Sequence, residues 1–589
     1  MSRKPRVVLD DIRARRSLVY ADPAEIVVAR TRAEVEPALR AIDAAHAAGR
    51  HLAGYLSYEL GYALEPKLHA RLAGGNSLPL LWFGVFDAPP RVLAESQAAD
   101  FAAGGRAYAG PLQFEWSEND YRRRFAEVVE RIARGDIFQA NLSFRARFAA
   151  VGLPLALYRE MREAADVAYA ACVDDGENAI LSFSPELFFE VSADGTLRTR
   201  PMKGTAARGR DETEDDALRD ALRASAKNRA ENLMIVDLMR NDLGRIAETG
   251  SVAAESLFDV DTYATVHQMT STVSAKLRSG GSPQQIVRAL FPPGSVTGAP
   301  KIRAMEILHE LESSPRGIYC GAIGRFDPDG SAAFNVAIRT LTIREGRGEL
   351  GCGGAVVADS DAVGEYEECL LKTRYFTAGR RSLHLIETLR CEHGEPVRLD
   401  LHLSRMQASA RRFGFPFDRS RLRDAVLRAA SPDVARQRMR ILLGETGAFD
   451  VSVRPLDDAR GPWRFAISAL RVDSADELLH HKTDRREFYE REQARMRDLH
   501  GCDEVLFLNE RGELCEGSRS NLFLRIDGDL LTPATSCGLL DGCLRREMLA
   551  LGTCREAVLV PADLDRAAEI HFGNSLRGLV RAVRWPQAE

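Results

Sequence analysis

The sequence lacks the features that mark membrane, secreted or nucleic-acid-binding proteins. No apolar run reaches the roughly 18–20 residues that span a bilayer. The N-terminus turns acidic before the apolar core of a signal peptide could form, which predicts a cytoplasmic protein without a membrane partner. The 80 basic residues nearly balance the 85 acidic ones, so the charge gives no indication of a nucleic-acid partner. Only 7% of the residues are aromatic, and the composition is otherwise that of an ordinary globular protein.

The sequence also lacks closely spaced cysteine pairs. It contains ten cysteines, but none stands in a CxxC pair. In a chain of this size they indicate reduced, mostly buried thiols, and neither a disulfide framework nor a zinc site. The GCGG segment at 351–354 ends a strand pattern without the strand–turn–helix context of a nucleophile loop.

The length of 589 residues suggests several folding units, because one hydrophobic core rarely grows so large. Mixed helical and strand patterns run to about residue 376 and restart after a short polar segment. We therefore predict a mixed α/β or α+β chain with a first domain at 1–376, whose catalytic core covers about 114–376. A linker at 377–382 and a second domain at 383–589 follow.

Local patterns predict several individual elements. Ser117 and Asp120 form a shortened capping box ahead of apolar residues at helical spacing. Long helical patterns occupy about 215–240 and 361–376. Between 316 and 358 the apolar period drops to two, which predicts strands.

Chemically suggestive side chains stand out in the first half. Glu186 follows an apolar strand, Lys203 lies in a turn-flanked PMKGT segment, and Glu231 lies on the long helix. Glu365 and Glu368 are three residues apart on one helical face. Each of these side chains, taken alone, is best explained as a solvated surface group. Their spacing by itself therefore indicates only that an enzyme is one interpretation of the sequence.

Longer motifs carry a resemblance to a known family. From 1 to about 376 the sequence resembles the chorismate-utilising enzymes, specifically component I of aminodeoxychorismate synthase. The resemblance implies a large two-sheet α/β sandwich and chorismate as the substrate. The matching segments are GYLSYELG (54–61), GDIFQANLS (135–143), SPELFF (184–189), PMKGT (201–205), NRAENLMIVDLMRNDLGR (228–245), FPPGSVTGAPKIRAMEIL (291–308), AIRTLT (337–342), CGGAVVADS (352–360) and EYEE (365–368).

Two positions separate subfamilies within this group. The lysine of the PxKGT segment, Lys203, is characteristic of aminodeoxychorismate synthases, whereas anthranilate synthases carry alanine there. The helix reads Glu231-Asn232, where anthranilate synthases typically have Glu-His. Both positions favour amination at C4, and anthranilate synthase chemistry is the alternative.

The resemblance also implies roles for individual residues. Lys203 is the candidate nucleophile and Glu186 the candidate general acid, while Glu231 and Glu368 are candidate Mg²⁺ ligands. Candidate substrate-binding residues are Arg339, Thr297, Lys301, Gly353, Gly354 and His267. Because the chain contains no glutaminase segment, the resemblance implies that ammonia comes from a separate glutaminase subunit.

From Leu383 the sequence resembles class IV pyridoxal phosphate enzymes, notably aminodeoxychorismate lyase. This implies a fold like that of D-amino-acid aminotransferase and a homodimer formed through this domain. The matching segments are ETLR (387–390), HLSR (402–405), HHKTDRREFY (480–489), LCEGSRSNLFL (514–524), GLLDGCLRREML (538–549) and EIHFGNSLRGLV (569–580).

By this resemblance Lys482 binds pyridoxal phosphate covalently and moves protons, and Glu516 pairs with its pyridinium nitrogen. Thr388 lines the substrate pocket. The residues expected around the phosphate are Arg405, Cys543, Leu544, Asn574 and Ser575.

The two resemblances together predict synthesis of 4-aminobenzoate, a folate precursor. Alternatives for the second half are an amino-acid transaminase and a docking module without catalysis. The class IV family normally begins with a strand hairpin, for which the linker leaves no room. Either part of the first domain replaces that hairpin or a sheet edge stays open.

Overall fold

We describe the structure from a computed structural model of the chain. The residues that the structure describes are 4–11, 15–72, 78–94, 106–165, 167–263, 266–278, 281–457 and 461–585.

The contacts divide the chain into two compact units that are not contiguous in sequence. The first unit comprises Met1–Ala102, Leu112–Phe148 and Tyr158–Arg380. The second comprises Ala103–Pro111, Ala149–Leu157 and Arg381–Glu589. Two short segments from within the predicted first domain therefore belong to the second unit.

The strands up to residue 380 are β1 Arg6–Asp11, β2 Arg16–Ala21, β3 Glu25–Ala29, β4 His51–Leu56, β5 Leu81–Phe86, β6 Arg91–Ala94, β7 Ala107–Ala109, β8 Gln113–Phe114, β9 Gln139–Gly152, β10 Tyr169–Asp174, β11 Ala179–Ser184, β12 Leu187–Val191, β13 Thr196–Arg200, β14 Met202–Ala207, β15 Ala253–Thr262, β16 Val266–Lys276, β17 Gly298–Ala299, β18 Ala322–Phe326, β19 Ala332–Val336, β20 Thr340–Arg344 and β21 Arg347–Val356.

The helices of the same region are α1 Arg32–Ala47, α2 Leu60–Leu64, α3 Glu118–Ala133, α4 Pro154–Ala164, α5 Glu212–Ala224, α6 Ala226–Gly244, α7 Pro283–Leu290, α8 Lys301–Leu311, α9 Ala362–Leu371 and α10 Arg374–Gly379. Short 3₁₀ turns occupy Pro66–Arg71 and Gly294–Val296.

The first unit is built on two large sheets of antiparallel strand pairs. One has the strand order β17-β9-β21-β20-β11-β10-β1-β2-β6, and the other has the order β14-β16-β13-β12-β19-β18-β4-β5-β3. Tyr20 and Ile180 from the first sheet share one apolar core with Tyr55 and Trp82 from the second. The other face of the second sheet packs against α1 and α6 to α8. The second sheet is thus covered on both faces, as a sandwich requires.

The capping box predicted at Ser117 is present at the start of α3, whereas two longer helix predictions are wrong. The Ser117 hydroxyl accepts a hydrogen bond from Asp120 N, and the Asp120 carboxylate accepts one from Ser117 N, which confirms the capping box. The predicted single helix over 215–240 is wrong, because the backbone is extended at Ser225. The Ser225 side chain caps α6 by accepting a hydrogen bond from Asn228 N. The predicted helix over 361–376 is likewise divided, into α9 and α10.

The second unit is built from further strands and helices. They are β22 Leu385–Glu392, β23 Glu395–Pro396, α11 Leu399–Phe413, α12 Arg419–Ala429, β24 Arg436–Leu443, β25 Phe449–Pro455, β26 Trp463–Val472, α13 Glu487–His500, β27 Glu504–Asn509, β28 Leu514–Gly517, β29 Asn521–Ile526, β30 Asp529–Pro533, α14 Cys543–Ala550, β31 Arg555–Ala557, α15 Pro561–Arg566, β32 Glu569–Asn574 and β33 Gly578–Arg584.

These strands form two sheets in the second unit. The smaller sheet has the order β23-β22-β24-β25, and the larger has the order β28-β27-β26-β33-β32-β29-β30-β31. Alternate residues of β22 and β24, among them Leu389 and Met439, pack against Leu403 of α11 and Val426 of α12. One face of the smaller sheet is therefore covered by two helices.

A two-stranded ladder from the N-terminal half completes this core. In β7 and β9, Tyr108 pairs with Val151 in antiparallel register. Both side chains lie in the core formed by Leu383, Phe413 and the smaller sheet. The Tyr108 ring lies 5.2 Å from that of Phe413, and its hydroxyl donates a hydrogen bond to Glu445. The ladder thus contributes two buried side chains to the core of the smaller sheet.

All ten cysteines are buried and free, as predicted from their spacing. Among the described residues, no helix combines the length and the apolar character needed to cross a membrane.

We predict that Tyr108→Ala destabilises the second unit by about 3 kcal/mol, because it removes a buried aromatic ring. Hydrogen exchange followed by mass spectrometry should show faster exchange in peptides from β22 and β24. Tyr108→Phe is the matched control, since it keeps the ring and removes the hydroxyl that donates to Glu445, and it should cost about 1 kcal/mol. Unchanged exchange in the alanine variant would show that the ladder does not support this core.

Candidate active sites

Lys203 and Glu186 lie together in the first unit. Lys203 is partly buried on β14, and Glu186 is buried between β11 and β12. Burial raises the pKa of Glu186 to about 7, although a hydrogen bond from Ser295 and the charge of Lys203 act in the opposite direction. Ser295 Oγ lies 2.6 Å from Glu186 Oε1. Glu186 is therefore able to carry a proton near neutral pH.

Acidic side chains surround Lys203. Burial lowers the pKa of Lys203, the charge of Glu231 opposes this, and the charge of Lys372 acts in the same direction as burial. Glu365 and Glu368 of α9 also act on Lys203. The structure thus brings together side chains from β14, α6 and α9. Among the described residues, Lys203 forms no ion pair, which leaves its amine available.

Lys372 is a site residue that the sequence prediction missed. Its ammonium lies 2.8 Å from Glu368 Oε1 and donates a hydrogen bond to the Gly353 carbonyl oxygen at 3.1 Å. Burial acts to raise the pKa of Glu368, but the charge and hydrogen bond of Lys372, together with the charges of Lys203 and Lys227, outweigh it, and the pKa is lowered. Lys372 follows Glu368 by four residues, a helical spacing that would have placed both on one face.

Gly354 leaves room for the side chain of Glu365, and Gly353 leaves room for the side chain of Ser143. A Cβ atom at Gly354 would lie 2.9 Å from Glu365 Oε2, and one at Gly353 would lie 2.4 Å from Ser143 Oγ. The Glu365 carboxylate accepts a hydrogen bond from Ser360 at 2.7 Å, and burial raises its pKa. Side chains at either glycine would displace groups around the acidic cluster.

The donor set of Glu231 and Glu368 suits Mg²⁺. This ion prefers oxygen ligands and usually takes one or two protein carboxylates, with waters and substrate oxygens in its other positions. Among the described residues, the one group of three ligand atoms within 4.8 Å of one another is Glu387, His402 and Cys543, in the second unit. The described part of the first unit thus offers oxygen ligands of the kind that Mg²⁺ prefers and no closed cage of three protein ligands.

Arg339 is positioned for an anionic ligand. Its backbone is left-handed, with φ 51°, and its carbonyl oxygen accepts a hydrogen bond from Phe183 N at the end of β11. The guanidinium is partly buried and forms no ion pair or side-chain hydrogen bond with any residue that the structure describes. Burial lowers the pKa of Arg339, which reflects the cost of an unpaired charge there.

Three other predicted substrate-binding residues already have protein partners. Lys301 begins α8, but its ammonium lies 2.6 Å from Asp242 and 3.0 Å from the Leu290 carbonyl oxygen. The Thr297 hydroxyl donates to the Pro293 carbonyl oxygen at 2.8 Å. Both ring nitrogens of His267 have partners, Asp215 and Thr262, each at 3.0 Å. These contacts fix the surrounding backbone and tie up the three side chains.

In the second unit, Lys482 lies just ahead of α13. Its carbonyl oxygen accepts a hydrogen bond from Ile386 N at 2.8 Å, which ties it to β22. Burial and the charges of Arg486 and Arg405 lower the pKa of Lys482 to about 7. Within the described part of the chain, its amine has no ion-pair partner. A neutral, unpaired amine is what covalent attachment to an aldehyde requires.

Glu516 lies on β28 and is buried. Tyr489 of α13 donates a hydrogen bond to its Oε1 at 3.3 Å, and Asn521 Nδ2 donates to its Oε2 at 3.4 Å. Burial raises the pKa of Glu516 to about 7, against the charges of Arg486 and Lys482. A cationic ring nitrogen beside this carboxylate would favour its ionised form.

A buried network centres on Glu387, for which the sequence suggested no role. Arg405 donates from Nε and NH2 to the two carboxylate oxygens of Glu387, at 2.8 and 2.6 Å. His402 Nδ1 lies 2.6 Å from the same carboxylate, and its Nε2 lies 2.8 Å from Ser575 Oγ. Burial opposes ionisation of Glu387, but Arg405 and His402 outweigh it and lower its pKa to about 2. The network joins β22, α11 and the loop after β32.

The residues expected around a phosphate converge on this network. Arg405 NH1 donates to the Asp541 carbonyl oxygen at 3.1 Å, just ahead of α14, whose first residues are Cys543 and Leu544. Three of the five guanidinium N–H groups of Arg405 are thereby used, and two are left. The first N–H groups of a helix favour anions. The set formed by Arg405, Ser575 and the start of α14 fits a phosphate group.

Asn574 and Thr388 occupy neighbouring positions. Asn574 Oδ1 accepts hydrogen bonds from Leu576 N and Arg577 N, and its Nδ2 donates to the Arg519 carbonyl oxygen at 3.3 Å. Asn574 thus connects two loops of the larger sheet. Thr388 follows Glu387 on β22 and lies opposite Arg440 in register.

The chain belongs to the chorismate binding enzyme family, whose sequence profile matches residues 4–378. Residues 384–585 match the amino-transferase class IV family. The predicted fold class and the fusion of these two families are confirmed. A crystal structure of anthranilate synthase component I from Streptococcus pneumoniae has the same fold as the first unit, with a TM-score of 0.54 and 24% identity. That similarity covers 63% of this chain and 93% of the other.

Proteins with named activities are similar to part of the chain. The chain is 46% identical over 263 residues to an aminodeoxychorismate synthase of Streptomyces griseus, covering 45% of this chain and 36% of that protein. It is 37% identical over 355 residues to aminodeoxychorismate synthase component 1 of Klebsiella aerogenes, covering 57% and 77%. It is also 42% identical over 269 residues to anthranilate synthase component 1 of Streptomyces coelicolor, covering 45% and 52%. The chain therefore spans little more than a third of the Streptomyces griseus relative.

We predict that Glu387→Gln destabilises the second unit by about 3–5 kcal/mol, because it leaves the buried charge of Arg405 without a partner. Calorimetry should show a lower unfolding temperature. In the wild type, the stabilisation from ionised Glu387 is present above its unfolded pKa of about 4.3 and is lost as the pH falls toward 2. The variant should lack this pH-dependent loss.

Glu392→Gln is the matched control for this variant, since it changes a more exposed carboxylate on the same strand. It should alter stability by about 1 kcal/mol or less. Equal unfolding temperatures for the two variants would contradict a central role for Glu387.

Proposed function

We propose that this chain makes 4-aminobenzoate in two steps. The first unit aminates chorismate at C4 to 4-amino-4-deoxychorismate, with ammonia supplied by a separate glutaminase subunit. The second unit, with pyridoxal phosphate, removes pyruvate from that product. The observation that carries the proposal is the partly buried Lys203, with Glu186 and the acidic cluster around it. Relatives named aminodeoxychorismate synthase support the first step, and the class IV match supports the second.

In the first step, Lys203 acts as a nucleophile. Its neutral amine forms a bond to C2 of chorismate, the two conjugated ring double bonds shift from C1=C2 and C5=C6 to C1=C6 and C4=C5, and the C4–O bond breaks. Glu186 gives its proton to the departing hydroxyl, which leaves as water. Ammonia then forms a bond to C4, the C2–N bond breaks, and Lys203 is released. Glu186 takes up a proton from the added ammonia and is ready for the next cycle.

Binding and orientation fall to the surrounding side chains. Glu231 and Glu368 would hold Mg²⁺, which when bound would neutralise charge at the ring carboxylate. Lys372 lies beside Glu368 and keeps that carboxylate ionised. The unpaired Arg339 is suited to a bidentate grip on the enolpyruvyl carboxylate.

In the second step, Lys482 transfers the proton of the carbon that bears the substrate amine. When bound, pyridoxal phosphate would withdraw electrons from the carbon that bears the substrate amine. Lys482, with a pKa near 7, removes the proton from that carbon, and the C3–O bond to the enolpyruvyl group breaks. Pyruvate leaves and the ring becomes aromatic, which favours the forward direction. Glu516 would pair with the ring nitrogen of the cofactor, while Arg405, Ser575 and the start of α14 would hold its phosphate.

Overall identity alone does not separate this function from anthranilate synthesis, because an anthranilate synthase relative is almost equally similar. Lys203, which stands where anthranilate synthases carry alanine, supports amination at C4 over anthranilate synthesis. Product analysis with chorismate, ammonia, Mg²⁺ and pyridoxal phosphate tests both units together. 4-Aminobenzoate and pyruvate are expected, and formation of 2-aminobenzoate would refute the proposal for the first unit.

We predict that Lys203→Ala lowers formation of aminodeoxychorismate from chorismate and ammonia at least a hundredfold, because the nucleophile is lost. Chromatography of the products measures this loss. Lys67→Ala, which changes an exposed lysine in the 3₁₀ turn Pro66–Arg71, is the matched control and should retain activity. An unimpaired Lys203→Ala variant would show that the reaction does not pass through this amine.

We predict that Lys482→Ala abolishes the absorbance band of covalently bound pyridoxal phosphate and stops pyruvate release. Aminodeoxychorismate should then accumulate when the full-length variant is given chorismate and ammonia. A wild-type protein that transaminates amino acids without releasing pyruvate from purified aminodeoxychorismate would favour the transaminase alternative. A wild-type protein that fails to bind pyridoxal phosphate would favour the docking module.

A further inference from the structure

Five arginines of the second unit lie close enough to act on one another. They are Arg438 and Arg440 of β24, Arg454 of β25, Arg519 after β28 and Arg577 after β32. We refer to these five residues as the arginine cluster. Burial and the positive charges of the other four lower the pKa of Arg438.

The strand register explains why the first three lie on one face. Met439 and Ile441 of β24 point into the core that α11 and α12 cover. Because side chains alternate along a strand, Arg438 and Arg440 point to the opposite face. Arg454 lies directly opposite Arg438 in the antiparallel register. Like charges in such positions destabilise a sheet, so a ligand of opposite charge is needed to offset them.

No carboxylate among the described residues pairs with these arginines. Arg438, Arg440, Arg454 and Arg519 form no ion pair and no hydrogen bond through their side chains within that part of the chain. Arg577 donates a hydrogen bond from its guanidinium to the Asp457 carbonyl oxygen. Arg438 and Arg440 are partly buried, so their lack of partners is not that of freely solvated surface groups.

The elements that carry the cluster also carry the second candidate site. Arg519 follows Glu516 by three residues, and Arg577 follows Ser575 by two. Asn574 holds the two loops together through its bonds to the Arg519 carbonyl oxygen and to Arg577 N. Arg440 lies opposite Thr388, the predicted pocket residue, on the face of the smaller sheet that points away from the α11 and α12 core. The cluster therefore lies beside Thr388 and along the loops that follow Glu516 and Ser575.

We propose that the arginine cluster binds the two carboxylates of a dicarboxylate amine at the second site and selects it over monocarboxylate amines. The proposal rests on the proposed function of this site, whose substrate carries a ring carboxylate and an enolpyruvyl carboxylate. Each carboxylate can accept two parallel hydrogen bonds from one guanidinium. Arg438 and Arg440 reach the substrate from the smaller sheet, and Arg519 reaches it from the larger sheet.

The test compares two aromatic probes with full-length holoenzyme. One is 3-(carboxymethoxy)benzoate, which has two carboxylates, and the other is 3-methoxybenzoate, which has one. The change in cofactor absorbance reports binding at the second site alone. We expect the dicarboxylate to bind at least tenfold more tightly. Equal affinities for the two probes would overturn the proposal.

Single variants then assign the contacts. Arg438→Gln, Arg440→Gln and Arg519→Gln should each weaken dicarboxylate binding about tenfold, because each removes a charged hydrogen-bond donor. The same variants should raise KM for aminodeoxychorismate more than they lower kcat. Arg438→Lys should restore part of the affinity. The exposed Arg428→Gln on α12 is the matched control and should change neither value.

Two outcomes keep this proposal separate from the proposed function. If the probes discriminate as expected but purified aminodeoxychorismate yields no pyruvate, the lyase function fails and dicarboxylate binding stands. If pyruvate is released but Arg519→Gln and Arg438→Gln leave probe affinity and KM unchanged, the arginine cluster has been wrongly assigned. Arg519 is exposed on a loop, so its replacement leaves the fold intact and the result interpretable.

Discussion

The chemistry proposed for both units depends on keeping an amine away from water. Moving an ammonium group into the protein favours its neutral form, and burial is the largest influence on both Lys203 and Lys482. Neither lysine has an ion-pair partner among the described residues, so no carboxylate reverses the effect. The sheets and helices around each lysine therefore serve first to exclude solvent.

The charges beyond each lysine differ in sign. Lys203 is surrounded mainly by the carboxylates of Glu231, Glu365 and Glu368, an arrangement that suits a divalent cation and the anion it binds. Around Lys482 the charges of Arg486 and Arg405 act more strongly than those of Glu387 and Glu516, and Glu387 is bound to Arg405 and His402. The first unit therefore suits ligands that include a cation, and the second unit suits ligands that carry negative charge.

The sequence predicted the parts of this structure that depend on local residue types. The capping box at Ser117 needs only side chains three residues apart, and Lys203 and Glu186 were found through motifs. Contacts between distant residues were beyond such reasoning. Asp242 takes the ammonium of Lys301, and Glu387 organises His402, Arg405 and Ser575, because the fold brings together residues up to 188 positions apart. The extended Ser225 was missed because its capping role outweighs the helical pattern on both sides.

The pairing of Tyr108 with Val151 has consequences for the translation of this protein and for any division of its gene. The ribosome synthesises both residues well before Leu383 and Phe413, against which they pack. The core of the second unit therefore forms only late in translation, well after β7 and β9 have been synthesised. A gene split near codon 380 would leave the downstream product without two of its strands. The two units are therefore held in one polypeptide by shared architecture, and not by a linker alone.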